Sequence, residues 1–193
     1  MNLEDGGNRR FILVQLPEKC EESSVPFKAG YHTICEIGEE RIRRTGKQLK
    51  EENTASHFDY GFRILKLDES NMKDVYYTPG EYNQDLLSML ESNIKEDRSD
   101  LDLLFGCLLE WGLPLSLPYS SQEIEGCTVH NYNDGDLVAC FDENVPDSVI
   151  KAIAKMQPLR AVFRDASFSG SPEKINVEEI FKLLAPDTSV KVI

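Results

Sequence analysis

The order of apolar and polar residues predicts that strands and helices alternate along the chain. A nearly continuous apolar run, Arg9–Leu16, follows a glycine-rich turn and ends at Pro17, which is typical of a strand buried on both faces. Apolar residues then recur at helical spacing over His32–Glu52, and Gly61–Asp68 alternates as a second strand. Strand, helix and strand in this order predict a βαβ unit.

A turn-rich stretch, Thr78–Glu81, is the predicted boundary between a first part, residues 1–78, and a second part, residues 82–193. In the second part, helices, a hairpin and alternating strands and helices predict a small α/β domain with helices packed on a sheet. The predicted elements are helices Asp85–Lys95 and Ser99–Trp111, hairpin strands Thr128–Tyr132 and Leu137–Asp142 around Asn133-Asp134-Gly135, helix Asp147–Met156, strand Arg160–Phe163, helix Asn176–Leu184 and strand Ser189–Ile193.

Composition places the chain among soluble globular proteins. Its 193 residues are 40% hydrophobic and 28% charged, which suffices for a packed core and a solvated surface. No apolar run reaches the roughly 18 residues that span a bilayer. The acidic start, Met1–Asp5, lacks the apolar core of a signal peptide, so a cytoplasmic location is expected.

The charge is strongly and unevenly negative. The net charge is −13. Residues 1–82 contain 12 Lys and Arg against 15 Asp and Glu, a balance of −3, and residues 83–193 contain 9 against 19, a balance of −10. Because DNA affinity comes largely from cations that neutralise phosphates, the second part is the less suited to touch DNA.

Few residues point to chemistry on their own. The nucleotide-binding, P-loop, zinc-protease and serine-hydrolase signatures are absent. The five dispersed cysteines have no CxxC spacing, which argues against a disulfide framework and against a zinc site. His32 and Cys35 suggest a possible pair on one helix face, although a surface histidine is the simpler interpretation. Asp165 follows a predicted parallel strand, where α/β proteins place functional groups, but a loop-fixing role is favoured over catalysis.

The chain has four segments, Leu3–Glu18, Thr33–Gly46, Gly61–Asp68 and Lys174–Lys182, that together resemble one family: the modification (Mod) subunits of type III restriction–modification systems. Leu3–Glu18 is similar to the segment after the family's cofactor loop, and Thr33–Gly46 is similar to the helix that follows it. Gly61–Asp68 and Lys174–Lys182 are similar to the family's carboxy-terminal region. The resemblance implies an α/β chain: a βαβ remnant of a Rossmann-like methyltransferase sheet, followed by a small second α/β domain.

The resemblance also implies what this segment lacks. Members of the family are adenine-specific DNA methyltransferases that use S-adenosylmethionine, with a DPPY-type motif at the target base and an FxGxG-type loop at the methyl donor. Neither string occurs here, and both are expected upstream of Met1. Related enzymes carry an acid for the ribose hydroxyls at the end of the second strand. Gln15 matches that place and Glu18 follows it, so these two residues are the implied cofactor contacts.

The leading hypothesis is therefore the carboxy-terminal part of a Mod subunit, which serves subunit assembly and does not methylate DNA alone. We expect this fragment to bind no S-adenosylmethionine, and DNA only within the full enzyme. The implied protein partners are another Mod subunit or the restriction (Res) subunit, with a homodimer possible. One alternative is a free-standing interaction module derived from the methyltransferase tail, and another is a small enzyme that uses Asp165.

Overall fold

The computed structural model describes residues 2–53, 58–73 and 93–193. The chain divides into two compact units, Met1–Leu67 (unit 1) and Asp68–Ile193 (unit 2). The predicted boundary at residues 78–81 and the first eight residues of the predicted helix Asp85–Lys95 lie outside the described residues. In the described ranges, no helix is both long and apolar enough to cross a bilayer.

Unit 1 is built on one long helix. The described helices are α1 (Asn2–Asp5), α2 (Val25–Lys28) and α3 (Ile34–Glu52). Helix α3 begins after Thr33, whose hydroxyl accepts a hydrogen bond from the Glu36 amide at 3.3 Å, and its capping residue at the other end is Asn53. A threonine at this position satisfies a backbone N–H that has no partner inside the helix. The predicted helix is confirmed.

The two strands predicted on either side of α3 do not form. Neither Arg9–Leu16 nor Gly61–Asp68 is assigned to a strand. Apart from the half-buried Phe62, their apolar side chains are exposed, with Ile12 at 89% and Val14 at 91%. The prediction of a strand buried on both faces was therefore wrong for this chain as it stands, and the Rossmann-like remnant is not confirmed. An apolar run becomes a buried strand only when neighbouring strands and helices cover it.

Unit 2 contains a five-stranded mixed sheet. Strands β1 (Tyr119–Ile124), β2 (Cys127–Tyr132), β3 (Leu137–Cys140), β4 (Arg160–Phe163) and β5 (Ser189–Val192) lie side by side in chain order. Strand β2 pairs with β1 and β3 antiparallel, whereas β3, β4 and β5 are parallel. The predicted strands of the second part are confirmed within one or two residues at their ends.

Helices cover both faces of this sheet. Helix α5 (Asp147–Lys155) connects β3 to β4, and helix α6 (Ser171–Leu184) connects β4 to β5. Both pack on one face, whereas α4 (Asp100–Glu110) packs on the other through Leu104 and Leu108, which are fully buried. Parallel strands joined by helices need this coverage, and it yields an α/β/α sandwich.

Local signals set the elements of unit 2. Ser99 and Asp102 form a reciprocal capping box at the start of α4. The hairpin between β2 and β3 turns at Asn133, Asp134 and Gly135, all with positive φ, as the turn sequence predicted. Strand β1 was not predicted, because its sequence, YSSQEI, is polar and lies at the exposed edge of the sheet.

Candidate functional site

A cleft in unit 1 gathers cationic and aromatic side chains. It has a volume of about 680 Å³ and is lined by one face of α3 and by the segment 58–62. The lining residues are Arg43, Gly46, Lys47, Lys50, Asn53, Phe58, Asp59, Tyr60, Gly61 and Phe62. Three cations and one carboxylate line this cleft, although the whole chain carries −13. Such a lining suits a ligand that is both anionic and flat.

Helical spacing places the cations, and a glycine allows the aromatic segment to approach. Residues 43, 47 and 50 are four and three positions apart, so they fall on one face of α3. An added side chain at Gly46 would lie 3.3 Å from the backbone oxygen of Tyr60, tighter than ordinary packing. Phe58 and Tyr60 meet edge to face with ring centroids 5.2 Å apart. Because Gly46 has no side chain, the segment 58–62 can approach α3 closely at the bottom of the cleft.

The cations of the cleft differ in how firmly they are paired. Arg43 donates to Glu40 at 2.6 Å, and Glu40 also accepts from Arg44 at 2.7 Å. These two hydrogen bonds, that from Arg44 first, lower the pKa of Glu40. The ammonium of Lys47 lies 3.9 Å from Glu51 and its side chain is 78% exposed. Because an exposed pair at that distance is weak, Lys47 remains available to an anion.

Tyr60, one of the lining residues, has a buried hydroxyl without a hydrogen-bond partner among the described residues. A buried hydroxyl without a partner costs free energy, on the order of 1–3 kcal/mol. Because this oxygen has almost no accessible surface, the cations and not the hydroxyl determine what kind of ligand the cleft can take.

The residues that the sequence suggested as cofactor contacts lie outside this cleft. Gln15 is exposed, and its side-chain amide donates to the carbonyl of Leu16 at 3.2 Å. Glu18 is also exposed, and its backbone oxygen accepts from the Ile34 amide at the start of α3. Their role as contacts of S-adenosylmethionine stays a prediction.

His32 and Cys35 have separate, structural contacts. The His32 ring packs edge to face on Phe27 with centroids 5.0 Å apart. The Cys35 thiol donates to the carbonyl oxygens of Gln15 and Leu16, at 3.6 and 3.5 Å. These contacts attach the chain before α2 to the start of α3. They support the simpler interpretation of both residues.

Asp165 also has a structural partner. It lies in the turn after β4, where its carboxylate forms an ion pair with Lys174 on α6. Its backbone oxygen accepts from the Phe168 amide at 3.2 Å, and its own amide donates to Ile193. These contacts fix the loop between β4 and α6, so they support the loop-fixing role.

The structure adds a buried histidine network that the sequence did not reveal. His130 on β2 is 4% exposed; its Nδ1 lies 2.8 Å from the Ser121 hydroxyl and its Nε2 lies 3.4 Å from the Asp100 carboxylate. The order of ring nitrogens is the reverse of that in a serine-hydrolase triad. The network therefore favours a packing role. Ser121 is paired with His130 by the sheet register, and Asp100 reaches it from the start of α4, so sequence spacing does not reveal either contact.

Comparisons with known proteins connect the chain to one kind of subunit. A comparison with protein-family models gives no match. The chain is 41% identical over 63 residues to the type III restriction–modification enzyme StyLTI Mod subunit of Salmonella typhimurium, a match that covers 33% of this chain and 10% of that subunit. It is 25% identical over 214 aligned positions to the EcoP15I Mod subunit of Escherichia coli, which covers 100% of this chain and 29% of that subunit.

The two matches agree with each other and with the resemblance found in the sequence. The first match is short and has the higher identity, the second covers this whole chain at lower identity, and both are to Mod subunits of type III restriction–modification enzymes. The chain spans less than a third of the length of either relative. It is homologous along its whole length to a part of the Mod subunits of type III restriction–modification enzymes.

Proposed function

We propose that this chain acts as the carboxy-terminal part of a type III site-specific DNA adenine N6-methyltransferase subunit, in the cytoplasm, where it serves assembly and does not transfer methyl groups alone. The observation that carries the proposal is the homology to Mod subunits over all of this chain and only 29% of the longer match. Methyl transfer needs a flipped base aligned with the methyl donor. This sequence contains neither the DPPY-type nor the FxGxG-type string that the family uses for these tasks.

The exposed apolar runs of unit 1 support an assembly role. Leu13, Val14 and Leu16 in the first run are 71%, 91% and 72% exposed, and Leu67 at the end of the second run is fully exposed. Burying a side chain of this size stabilises a protein by about 1.5–3 kcal/mol. Under the proposal, residues 1–78 complete the methyltransferase sheet, and strand pairing with the catalytic region buries both runs.

The cleft supports a role beside DNA within the full enzyme. Its cations lie on α3, in the part of the chain with the smaller negative balance. Phosphate groups are neutralised by such cations. Under the proposal, Arg43, Lys47 and Lys50 contact the DNA backbone when the subunit is complete, and S-adenosylmethionine is held mainly by residues of the catalytic region.

The acidic second part supports a protein partner. Residues 83–193 carry a balance of −10, which disfavours DNA and favours a partner with a basic surface. Under the proposal, residues 82–193 form the assembly domain, and the partner is a companion Mod subunit or the Res subunit.

Complementation tests the proposal. The EcoP15I Mod subunit is expressed without the region matched by this chain, and labelled methyl transfer to duplex DNA is measured with and without the chain added. We expect transfer only when both polypeptides are present. Calorimetry of the chain alone with S-adenosylmethionine is expected to give no heat of binding. Methyl transfer by the chain alone, or micromolar donor binding, contradicts the proposal.

A free-standing interaction module derived from the methyltransferase tail is the second candidate. The self-contained core of unit 2 favours it, because this unit packs without help from a catalytic region. Size-exclusion chromatography with light scattering separates the two. A stable homodimer that fails to complement the truncated subunit favours the module, whereas a monomer that complements it favours the methyltransferase part.

A further inference from the structure

Three metal-ligating side chains meet on the face of the unit 2 sheet that α5 and α6 cover. They are Cys127 on β2, Cys140 at the end of β3, and Asp142 two residues further. The two sulfur atoms and a carboxylate oxygen all lie within 4.8 Å of one another. Ligands that share one ion at bond lengths of roughly 2.0–2.3 Å lie closer together than this upper limit, so binding would draw the three side chains slightly inward around the ion.

The sheet register brings these residues together. Val129 pairs with Cys140 in the antiparallel β2–β3 ladder, which makes Cys127 the diagonal neighbour of Cys140 on the same face. Asp142 lies two residues beyond Cys140, after the end of β3, and one of its carboxylate oxygens lies within 4.8 Å of both sulfur atoms. The group cannot be seen as a spacing motif, because its members are 13 and 2 residues apart and only the hairpin closes the distance.

Further hydrogen bonds hold the metal-ligating side chains in place. The Asp142 carboxylate accepts from the Thr128 amide at 2.6 Å and from the Cys140 thiol at 3.8 Å. The hydroxyl of Ser167 donates to the backbone oxygen of Asp142 at 2.8 Å, which fixes the chain at that residue. A carboxylate positioned by a backbone N–H is a common outer-shell arrangement around metal ligands.

The three ligand atoms determine which metal ions the site can bind. Two cysteine sulfurs and one carboxylate oxygen suit zinc and its close analogues cadmium and cobalt, which accept thiolate and oxygen ligands in tetrahedral sites. We propose that Cys127, Cys140 and Asp142 form a binding site for a divalent cation of the zinc class, with a water molecule in the fourth position. This differs from the prediction that the chain has no metal site, which rested on cysteine spacing alone.

The cluster contains a carboxylate beside its two thiols. A bound cation would be attracted by the charge of Asp142 and would hold the two cysteines as thiolates, the form in which they ligate a metal. Asp142 is only half-buried, which leaves a route for the ion from its side of the cluster.

Metal titration of the full chain tests the proposal. The reduced, metal-free chain is titrated with cadmium, zinc and cobalt, and binding is followed by calorimetry and by the thiolate-to-metal absorption of cadmium and cobalt. We expect one ion for each chain. Cys127→Ser and Asp142→Asn are expected to weaken binding by at least about tenfold, the lower end of what loss of an outer-shell partner costs. Asp142→Asn keeps an oxygen that accepts from Thr128.

Cys107→Ser is the matched control. Cys107 is buried on the other face of the sheet, and burial raises its pKa to about 11, but it is not a member of the cluster. We expect this variant to bind the ion like the parent chain. Circular dichroism and melting curves check that each variant is folded. The proposal is overturned if the chain binds no ion in a one-to-one ratio, or if folded Cys127→Ser and Asp142→Asn bind the ion as the parent chain does. It is also overturned if Cys107→Ser loses as much affinity for the ion as these two variants.

Discussion

Unit 1 and unit 2 differ in how far their apolar residues are exposed to solvent. In unit 2 the sheet is covered on both faces, and residues such as Leu104, Ile153 and Phe163 have no exposed surface. In the described residues of unit 1, none of the hydrophobic side chains is fully buried, and those of 11–16 face solvent. Buried apolar area is the main favourable term in folding, so unit 2 has the means to fold alone and unit 1 lacks most of them.

The largest expected effect is the loss of a core ring in unit 2. Phe163 on β4 is fully buried and its ring meets those of Phe168 and Phe181. Phe163→Ala should lower the free energy of unfolding by about 3–5 kcal/mol, because it removes apolar contacts and leaves a cavity. Urea unfolding followed by circular dichroism measures it. A loss below about 1 kcal/mol would remove the main contrast between the units.

The next effect compares two helix caps of the same kind. The Ser99 hydroxyl accepts from the Asp102 amide at the start of α4, and the Thr33 hydroxyl accepts from the Glu36 amide at the start of α3. Ser99→Ala should destabilise unit 2 by about 1 kcal/mol. Thr33→Ala should leave the unfolding of unit 2 unchanged and only reduce helicity.

Hydrogen exchange measured residue by residue separates these two outcomes. Faster exchange across β2–β4 in Ser99→Ala, and only along α3 in Thr33→Ala, would agree with the prediction. Equal effects of both variants on the sheet of unit 2 would contradict it.

Unit 2 could be predicted from the sequence because its signals are local. Turn residues at 133–135, the cap at Ser99 and the apolar runs at 137–140 and 160–163 all favour the elements that form. Its edge strand β1 was missed, since a solvent-facing strand lacks an apolar pattern. The strands of unit 1 were predicted from equally good local patterns, but a strand also needs a neighbour, and no local pattern reports whether one is present.

The sites were harder to predict than the elements. Residues 43, 47 and 50 stand at helical spacing in the sequence, but no sequence pattern associates them with the aromatic residues at 58–62. The cluster of Cys127, Cys140 and Asp142 depends on a strand register that is fixed only after the hairpin closes. Sequence spacing predicts sites held by one element, and it fails for sites shared between elements.

A smaller effect on the stability of unit 2 is expected when the pH is lowered. Hydrogen bonds from the Ser99 hydroxyl and amide lower the pKa of Asp102 below its ordinary value of 3.8. A carboxylate whose pKa is lower in the folded protein than in the unfolded chain stabilises the folded state above pH 3.8. This contribution is lost as the pH falls through the pKa that the carboxylate has in the folded protein. The stability difference between the parent chain and Asp102→Asn should therefore shrink below about pH 4. Urea midpoints at pH 7 and pH 3 measure it, and a difference that grows in acid would contradict the assignment.

The smallest expected change in stability carries the most information about unit 1. Ile12 is 89% exposed, so Ile12→Asp removes almost no buried surface, and the unfolding free energy should change by less than about 0.5 kcal/mol. The same change should abolish complementation of the truncated Mod subunit, because a carboxylate cannot enter a buried sheet without a partner. Lys151→Asp, on the exposed face of α5, is the matched control and should complement normally. If Ile12→Asp complements as well as the control, residues 11–16 do not form a buried strand in the complete subunit. The contrast between the two units then reflects a difference in stability alone.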